Sequence, residues 1–365
     1  MRLITCIFLI LWSLFINSAH ATQFSDGPQA RKALAEQVED LFQKGNFSQL
    51  EKMADSFRKS RSHFPDGVWK IQIFYTGFDL SGRYPDWVFP KYISLAEEWQ
   101  KSYPKSVTAQ RVLAKVWFDY AWKARGSDYA SDVKKDAWPL VEQRLEKAWR
   151  ILNQPLAKGV DDCPERHNLQ LRMAVALGSD RDTFESLFQE ALREDPGYYH
   201  HYAVKADYLN PKWHGKEGEW QQFITNVADR NPQYNGATIY TRTVWSVYIR
   251  KDWTDFNKRS GVSWDRMKAG FEQINRKFPN SPWILNNYAK FACRAGDRDT
   301  VIKLFKQIDS RNTFYPEAWE TDAADKCRKW IKLGKTDQEV QREQLSEKMR
   351  KFNQLVDEQK KGLSR

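Results

Sequence analysis

The sequence predicts an all-α fold assembled from repeated helical hairpins, and three observations carry that prediction. First, four segments share one pattern: an apolar residue, two others, a second apolar residue, four others, then proline. They are Ala96, Trp99 and Pro104; Phe188, Ala191 and Pro196; Ile224, Val227 and Pro232; and Phe271, Ile274 and Pro279. The apolar pair lies three apart and so on one helical face. The proline then stops the helix, because it lacks an N–H and restricts the residue before it. Second, these prolines advance from 196 to 232 to 279, by 36 and 47 residues, and Pro316 follows after 37. Helical-hairpin arrays repeat at such periods. Third, strand signals are few. Only "WKIQIFYTGF" at 69–78 alternates, and a helix is preferred there too.

Taken in order, the chain begins with "MRLITCIFLILWSLFINSAHA". Arg2 supplies a positive start, and Leu3 to Ile16 is almost wholly apolar over about 14 residues, whereas a spanning helix needs ~20. Ala19 and Ala21 flank His20 as a small-residue cleavage pattern. Residues 1–21 are therefore expected to be a signal peptide removed after Ala21, with the mature chain starting at Thr22 in the periplasm or outside the cell. No stable membrane insertion is expected after cleavage. Residues 22–334 read as one helical domain with a candidate subdivision near 153–165. In "NNYAKFACRAGDRDTVIKLFKQI", Gly296 suits the residue just past a helix, and Asp297 or Asp299 can cap the next. Residues 335–365 form a charged helix or tail. Its apolar Leu345, Met349, Phe352 and Val356 draw one narrow stripe, which suits a helix covering the last repeat.

Phe188, Ala191 and Pro196 stand at the spacing of the second helix of a tetratricopeptide repeat, which the chain resembles. The small residues of that repeat's first helix are missing, since Arg172 and Phe184 occupy two such positions. The resemblance implies a tetratricopeptide-like α-solenoid of irregular helical hairpins with a C-terminal capping helix. A second resemblance rests on four segments in order: "FRKSRSHFPDGVWKIQIFYTGF", the run from "EEWQKSYP" to "WKARGSDYASDV", "ADYLNPKWHG", and "NNYAKFACRAGDR" with "KCRKW". Over roughly residues 38–332 these are similar to a bacterial family of domains of unknown function with such helices. That likeness implies a helical fold and no known activity.

The formal net charge is +11. Export takes nucleic acid out of the expected partners of a basic chain. An anionic surface or an acidic partner takes its place, although Lys and Arg are scattered rather than blocked. Catalytic signatures are absent: there is no Walker loop, GxGxxG or GxSxG. Adjacent acids such as Glu97 and Glu98, or Asp161 and Asp162, read as surface pairs. No catalytic residue, metal or cofactor is expected. The leading reading is an exported repeat protein that binds a partner, most simply another protein. The alternative is a carbohydrate-active enzyme on a helical toroid, acting on an acidic polysaccharide.

Among the cysteines, Cys6 departs with the signal peptide. Cys293 and Cys327 lie one repeat apart and are expected to form a disulfide, leaving Cys163 as an unbridged thiol. In "YYHHYAVKADYLNPKWHGKEGEW" the histidines lack the i, i+4 spacing of metal-binding helices. Tyr198, Tyr202, Ala203, Ala206 and Leu209 make an apolar face instead. The loop that follows, and "WKARGSDY" at 122–129, each combine tryptophan, a cation and glycine. Trp122, Arg125, Trp213 and His214 are accordingly the candidate binding residues, with aromatic faces beside hydrogen-bond donors.

Overall fold

The computed structural model describes residues 25–80, 82–126, 134–155, 163–230, 235–249, 261–334, 342 and 344–352. The expected signal peptide and its cleavage point lie outside the described residues, as do Asp161, Asp162, Pro232 and Val356. Among the described residues the regular structure is helical, apart from one isolated bridge between His63 and Trp69.

Helices α1 (Gly27–Gln43), α2 (Phe47–Ser60), α3 (Lys70–Thr76) and α4 (Phe89–Ser102) form an N-terminal group. Five hairpins follow: α5 (Val107–Arg125) with α6 (Trp138–Leu152), α7 (Pro164–Leu177) with α8 (Arg181–Glu194), α9 (Tyr199–Tyr208) with α10 (Glu219–Arg230), α11 (Gly236–Ile249) with α12 (Trp264–Lys277), and α13 (Pro282–Ala295) with α14 (Arg298–Ser310). Helix α15 (Ala323–Leu333) packs against α13 and α14 at the end. The ambiguous 69–78 segment is thus helical, as α3. Pro104, Pro196 and Pro279 each fall two residues beyond their helix, where the motif places them.

The hairpins make two layers. Helices α5, α7, α9 and α11 stack side by side, and α5 and α7 are buried around most of their circumference. Their partners are amphipathic. Helix α8 buries Phe184, Phe188 and Ala191, and α12 buries Met267, Gly270, Phe271 and Ile274, one stripe each, as an outer helix requires. The motif residues Ala96, Trp99, Phe188, Ala191, Ile224, Phe271 and Ile274 are therefore core residues. Trp99 stacks on Phe47 with centroids 5.4 Å apart, and its indole N–H donates to Glu51 at 2.8 Å. Caps sit where helix starts need them: Ser106, Asp180, Ser263, Ser281 and Asp297 each accept a backbone N–H three residues on, each worth ~1 kcal/mol. Gly296 holds the left-handed position after α13, with φ 75°.

Cys293 and Cys327 are bonded and tie α15 to α13. Cys163 keeps its thiol, buried against the Tyr75 hydroxyl at 3.7 Å. The tail differs from its expected packing. The cover on the last hairpin is α15, whereas Leu345, Met349 and Phe352 are exposed along the helical segment 344–352. A stripe of three apolar residues among Arg, Lys and Glu buries too little surface to displace the α15 contacts.

The array also closes on itself, which no local motif announced. Asp26, just before α1, accepts from the Ser281 hydroxyl and from the Trp283 N–H (3.3 Å) at the start of α13. The Tyr315 hydroxyl donates to the Asp26 carbonyl at 3.2 Å. Asp66, fully buried in the turn between α2 and α3, accepts from the N–H groups of Gly27 (3.1 Å) and Val68 (2.9 Å) and pairs with Arg31. Arg242 of α11 donates to the Asp66 carbonyl. A buried carboxylate is tolerated only with such partners, so this cluster fixes the N-terminal group against the far end of the array.

Candidate functional site

The face shared by α5, α7 and α9 carries charge that an ordinary core would exclude. Arg111, 1% exposed, pairs with Glu165 at 2.9 Å and lies 4.0 Å from the Tyr75 ring centroid. Lys115, also 1% exposed, contacts Asp119 and Asp79, each at 2.5 Å. Asp119 additionally accepts from the Leu80 N–H. Lys115 and its neighbours hold the Asp79 carboxyl below its ordinary range against the opposing cost of its burial.

Next to this polar row is a pocket of about 330 Å³. Phe118 and Trp122 of α5, Asn168 and Arg172 of α7, His200 and Asp207 of α9, and Trp213 beyond α9 all reach it. The i, i+4 spacing of the residues from α5 and α7 puts each pair on one helical face. Trp122 and Trp213 meet edge to face, with centroids 6.2 Å apart and ring planes at 85°. The Arg125 guanidinium sits over both, 4.9 Å from the Trp122 centroid and 5.7 Å from that of Trp213. Three of the four residues singled out in the sequence thus come together across about 90 residues of chain.

His214 does not join them. Its ring stacks on Tyr208 at 4.8 Å, and its Nε2 lies 3.3 Å from the Val175 carbonyl. The turn explains this. The N–H groups of Trp213 and Gly215 both donate to the Asn210 carbonyl, and that of His214 donates to the Tyr208 carbonyl. Gly215 lies so close to Leu209 that an added Cβ would fall 1.9 Å from the Leu209 carbonyl oxygen. The glycine therefore serves a close approach of the chain to itself, and that approach aims Trp213 at α5. The other glycine of the pair, Gly126, ends α5 with φ 75°, and an added Cβ there would meet nothing among the described residues.

Sequence reasoning did not find Asn168, Arg172 or Asp207. Arg172 was visible only as a departure from the repeat pattern. It is the residue whose guanidinium covers Phe118, 5.2 Å from the centroid. Asn168 is 5% exposed, and its Nδ2 has no acceptor among the described residues, so the pocket carries an unmet donor. Of the described residues lining it, only Asp207 bears a carboxylate. Glu97 and Glu98 are exposed on α4. Among the described residues no group of three His, Cys, Asp or Glu is placed to hold a metal ion.

His201, one residue from the pocket, points inward. It is wholly buried, and neither ring nitrogen has a hydrogen-bond partner among the described residues. Burial, with His167 and His200 nearby, pushes its pKa well below the ordinary 6.5. Below pH 6.5 the unfolded chain binds a proton that the folded chain refuses, so stability falls with pH, by at most ~1.4 kcal/mol per pH unit. His201→Phe is expected to flatten that part of the acid decline. Urea melts of both proteins at pH 7 and pH 5 check it, and parallel declines exclude His201 as the source.

No curated protein and no solved structure matches the chain. A family model does match, over residues 34–156, a shorter stretch than the 38–332 over which a resemblance was read. That stretch runs from within α1 past the end of α6. It supplies Phe118, Trp122 and Arg125, but not the α7, α9 and Trp213 side of the pocket. Residues 34–156 thus match the model of a family described as a domain of unknown function (DUF4034), and the candidate pocket is shared between that segment and the helices that follow it.

Proposed function

We propose that this is an exported binding protein that seats a segment of a partner protein across α5, α7 and α9, with one anchor side chain in the Trp122–Trp213 pocket. The observation that carries the reading is the pocket's composition. Two tryptophans and a phenylalanine give apolar faces, Arg172 and Asp207 give charges of both signs, and Asn168 offers a donor. Partner anchors fill pockets of this kind, aromatic-walled and with few polar groups. Asp79, the most exposed member of the adjacent row, would read a polar group of the same segment. Glycoside hydrolysis fits less well, because it needs two carboxylates flanking the scissile bond, and Asp207 is the one carboxylate among the described lining residues. Export rests on residues 1–21, and a disulfide suits an oxidising compartment.

The test sets a random-peptide display library and a glycan array side by side against the purified mature protein, whose N-terminus should read from Thr22. Peptides with a shared anchor residue should be enriched. Trp213→Ala and Arg172→Gln should each weaken the selected peptide at least tenfold, the loss expected for a pocket anchor. Arg172→Gln is expected to melt within a few degrees of wild type, so lost binding is not lost folding. Enrichment on glycans alone, or peptides held equally by both variants, overturns the reading.

A further inference from the structure

A second pocket lies where the array closes, between the α2–α3 turn, the start of α9, and helices α11 and α12. Its volume is about 270 Å³. Arg61 and His63 come from the turn, Arg242 from α11, and Lys277 from the end of α12. Aromatic rings back these groups: Arg61 lies 5.1 Å over Trp69, Arg242 lies 5.3 Å over Tyr199, and the His63 ring is 4.4 Å from that of Trp69. Among the described residues no carboxylate lines the pocket.

We propose that this pocket binds a phosphate monoester, with Arg61, Arg242 and Lys277 as its charge partners. The charge balance argues for a dianion. Asp66 is matched by Arg31, and Asp195 pairs with Arg61 at 2.6 Å. That leaves Arg242 and Lys277 without a carboxylate of their own among the described residues. Arg242, 5% exposed, donates to the neutral Asp66 carbonyl and hydrogen-bonds the neutral Tyr199 hydroxyl. Two uncompensated cations suit a phosphate monoester, which carries about −1.5 to −2 at pH 7, better than they suit a monoanionic carboxylate. Guanidinium groups also match phosphate geometry in two-pronged contacts. The protein registers the field itself: burial, then Lys277, Arg242 and Arg61, bring the His63 pKa down from 6.5 to about 4, against a smaller opposing pull from Asp66. His63 therefore enters as a neutral donor, and a bound dianion moves its titration upward.

Glycerol phosphate, as a free monoester, and vesicles of phosphatidylcholine with phosphatidic acid, as a lipid-borne one, are the two probes. Acetate is the monoanionic comparison. Calorimetry reads affinity for the soluble ions, co-sedimentation reads the vesicles, and NMR of labelled histidine follows His63. Glycerol phosphate is expected to bind at least tenfold tighter than acetate and to raise the His63 pKa. Lys277→Gln, a change at an exposed position, should weaken it at least fivefold. Lys306→Gln, an exposed charge loss on α14, should not. Vesicle binding that fails to compete with glycerol phosphate places the lipid elsewhere and leaves the free monoester as the ligand. Competition makes the lipid headgroup a second source of the same group. The proposal is overturned if glycerol phosphate fails to bind by about 10 mM, if acetate binds equally, if His63 does not shift, or if the two lysine variants lose affinity alike. None of these outcomes bears on the Trp122–Trp213 pocket, which is read by peptides and by other variants.

Discussion

Asp66→Ala is expected to cost about 3–5 kcal/mol of stability, the usual penalty for removing one partner from a buried ionic cluster. The carboxylate accepts from Gly27 and Val68 and pairs with Arg31. Its loss strands two backbone donors and a largely buried guanidinium at the seam where the chain closes. Each stranded group keeps its desolvation cost and loses its bond. Urea unfolding measures the change. Arg31→Met added to Asp66→Ala should recover part of it, because a neutral side chain removes the orphaned charge, and the double-mutant cycle gives the coupling between the pair. A cost below about 1 kcal/mol for Asp66→Ala means that the seam is held by its apolar contacts instead.

Removing the Cys293–Cys327 bridge is the second large effect. The two cysteines are 34 residues apart, and cross-linking a loop of that size contributes about 3–4 kcal/mol in the chain-entropy account. The double variant Cys293→Ser and Cys327→Ser avoids a stray thiol and should unfold at correspondingly lower urea. The loss should appear first in α15, which rests on α13 and α14 through Cys327, the Arg328–Asp309 pair (2.6 Å) and the Arg298 bond to the Ile331 carbonyl. Amide exchange across 323–333 reads that local release. Coincident melts with and without reductant would falsify the bridge as a source of stability.

What the sequence disclosed follows from how far apart the interacting residues are. Helix ends are local, and the proline rule located those of α4, α8 and α12, while Gly296 and Asp297 marked the turn between α13 and α14. The disulfide was legible because one repeat separates its cysteines. The meeting of Trp122, Arg125 and Trp213 was legible as two segments of like composition. The placing of His214 on Tyr208 was not legible, because its direction depends on the Asn210–Gly215 turn, whose shape comes from the close approach of Gly215 to Leu209. The closure was hidden for another reason. Asp26 and Ser281 are 255 residues apart, and Asp66 in "FPDGVW" reads as an ordinary turn residue. A signal was present nonetheless. Arg242, whose guanidinium reaches the Asp66 carbonyl, lies within the apolar "TIYTRTVWSVYI" of α11. A cation amid apolar residues on both sides must find a partner, and the partner need not be near in sequence.

The seam between Asp26 and the start of α13 also changes how the molecule comes apart. In an open array each terminal repeat has one neighbour, so unravelling starts at an end and moves inward. Here the first helix is held by residues 281–315 as well as by its own neighbours, so α1 is no cheap place to begin. Fraying of α1 gives way to its loss together with the α13 segment, and the same tie delays assembly. A chain made from its N-terminus carries Asp26 without its serine and tryptophan partners until the α13 segment exists, so the last structural act of folding joins the oldest part of the chain to nearly the youngest.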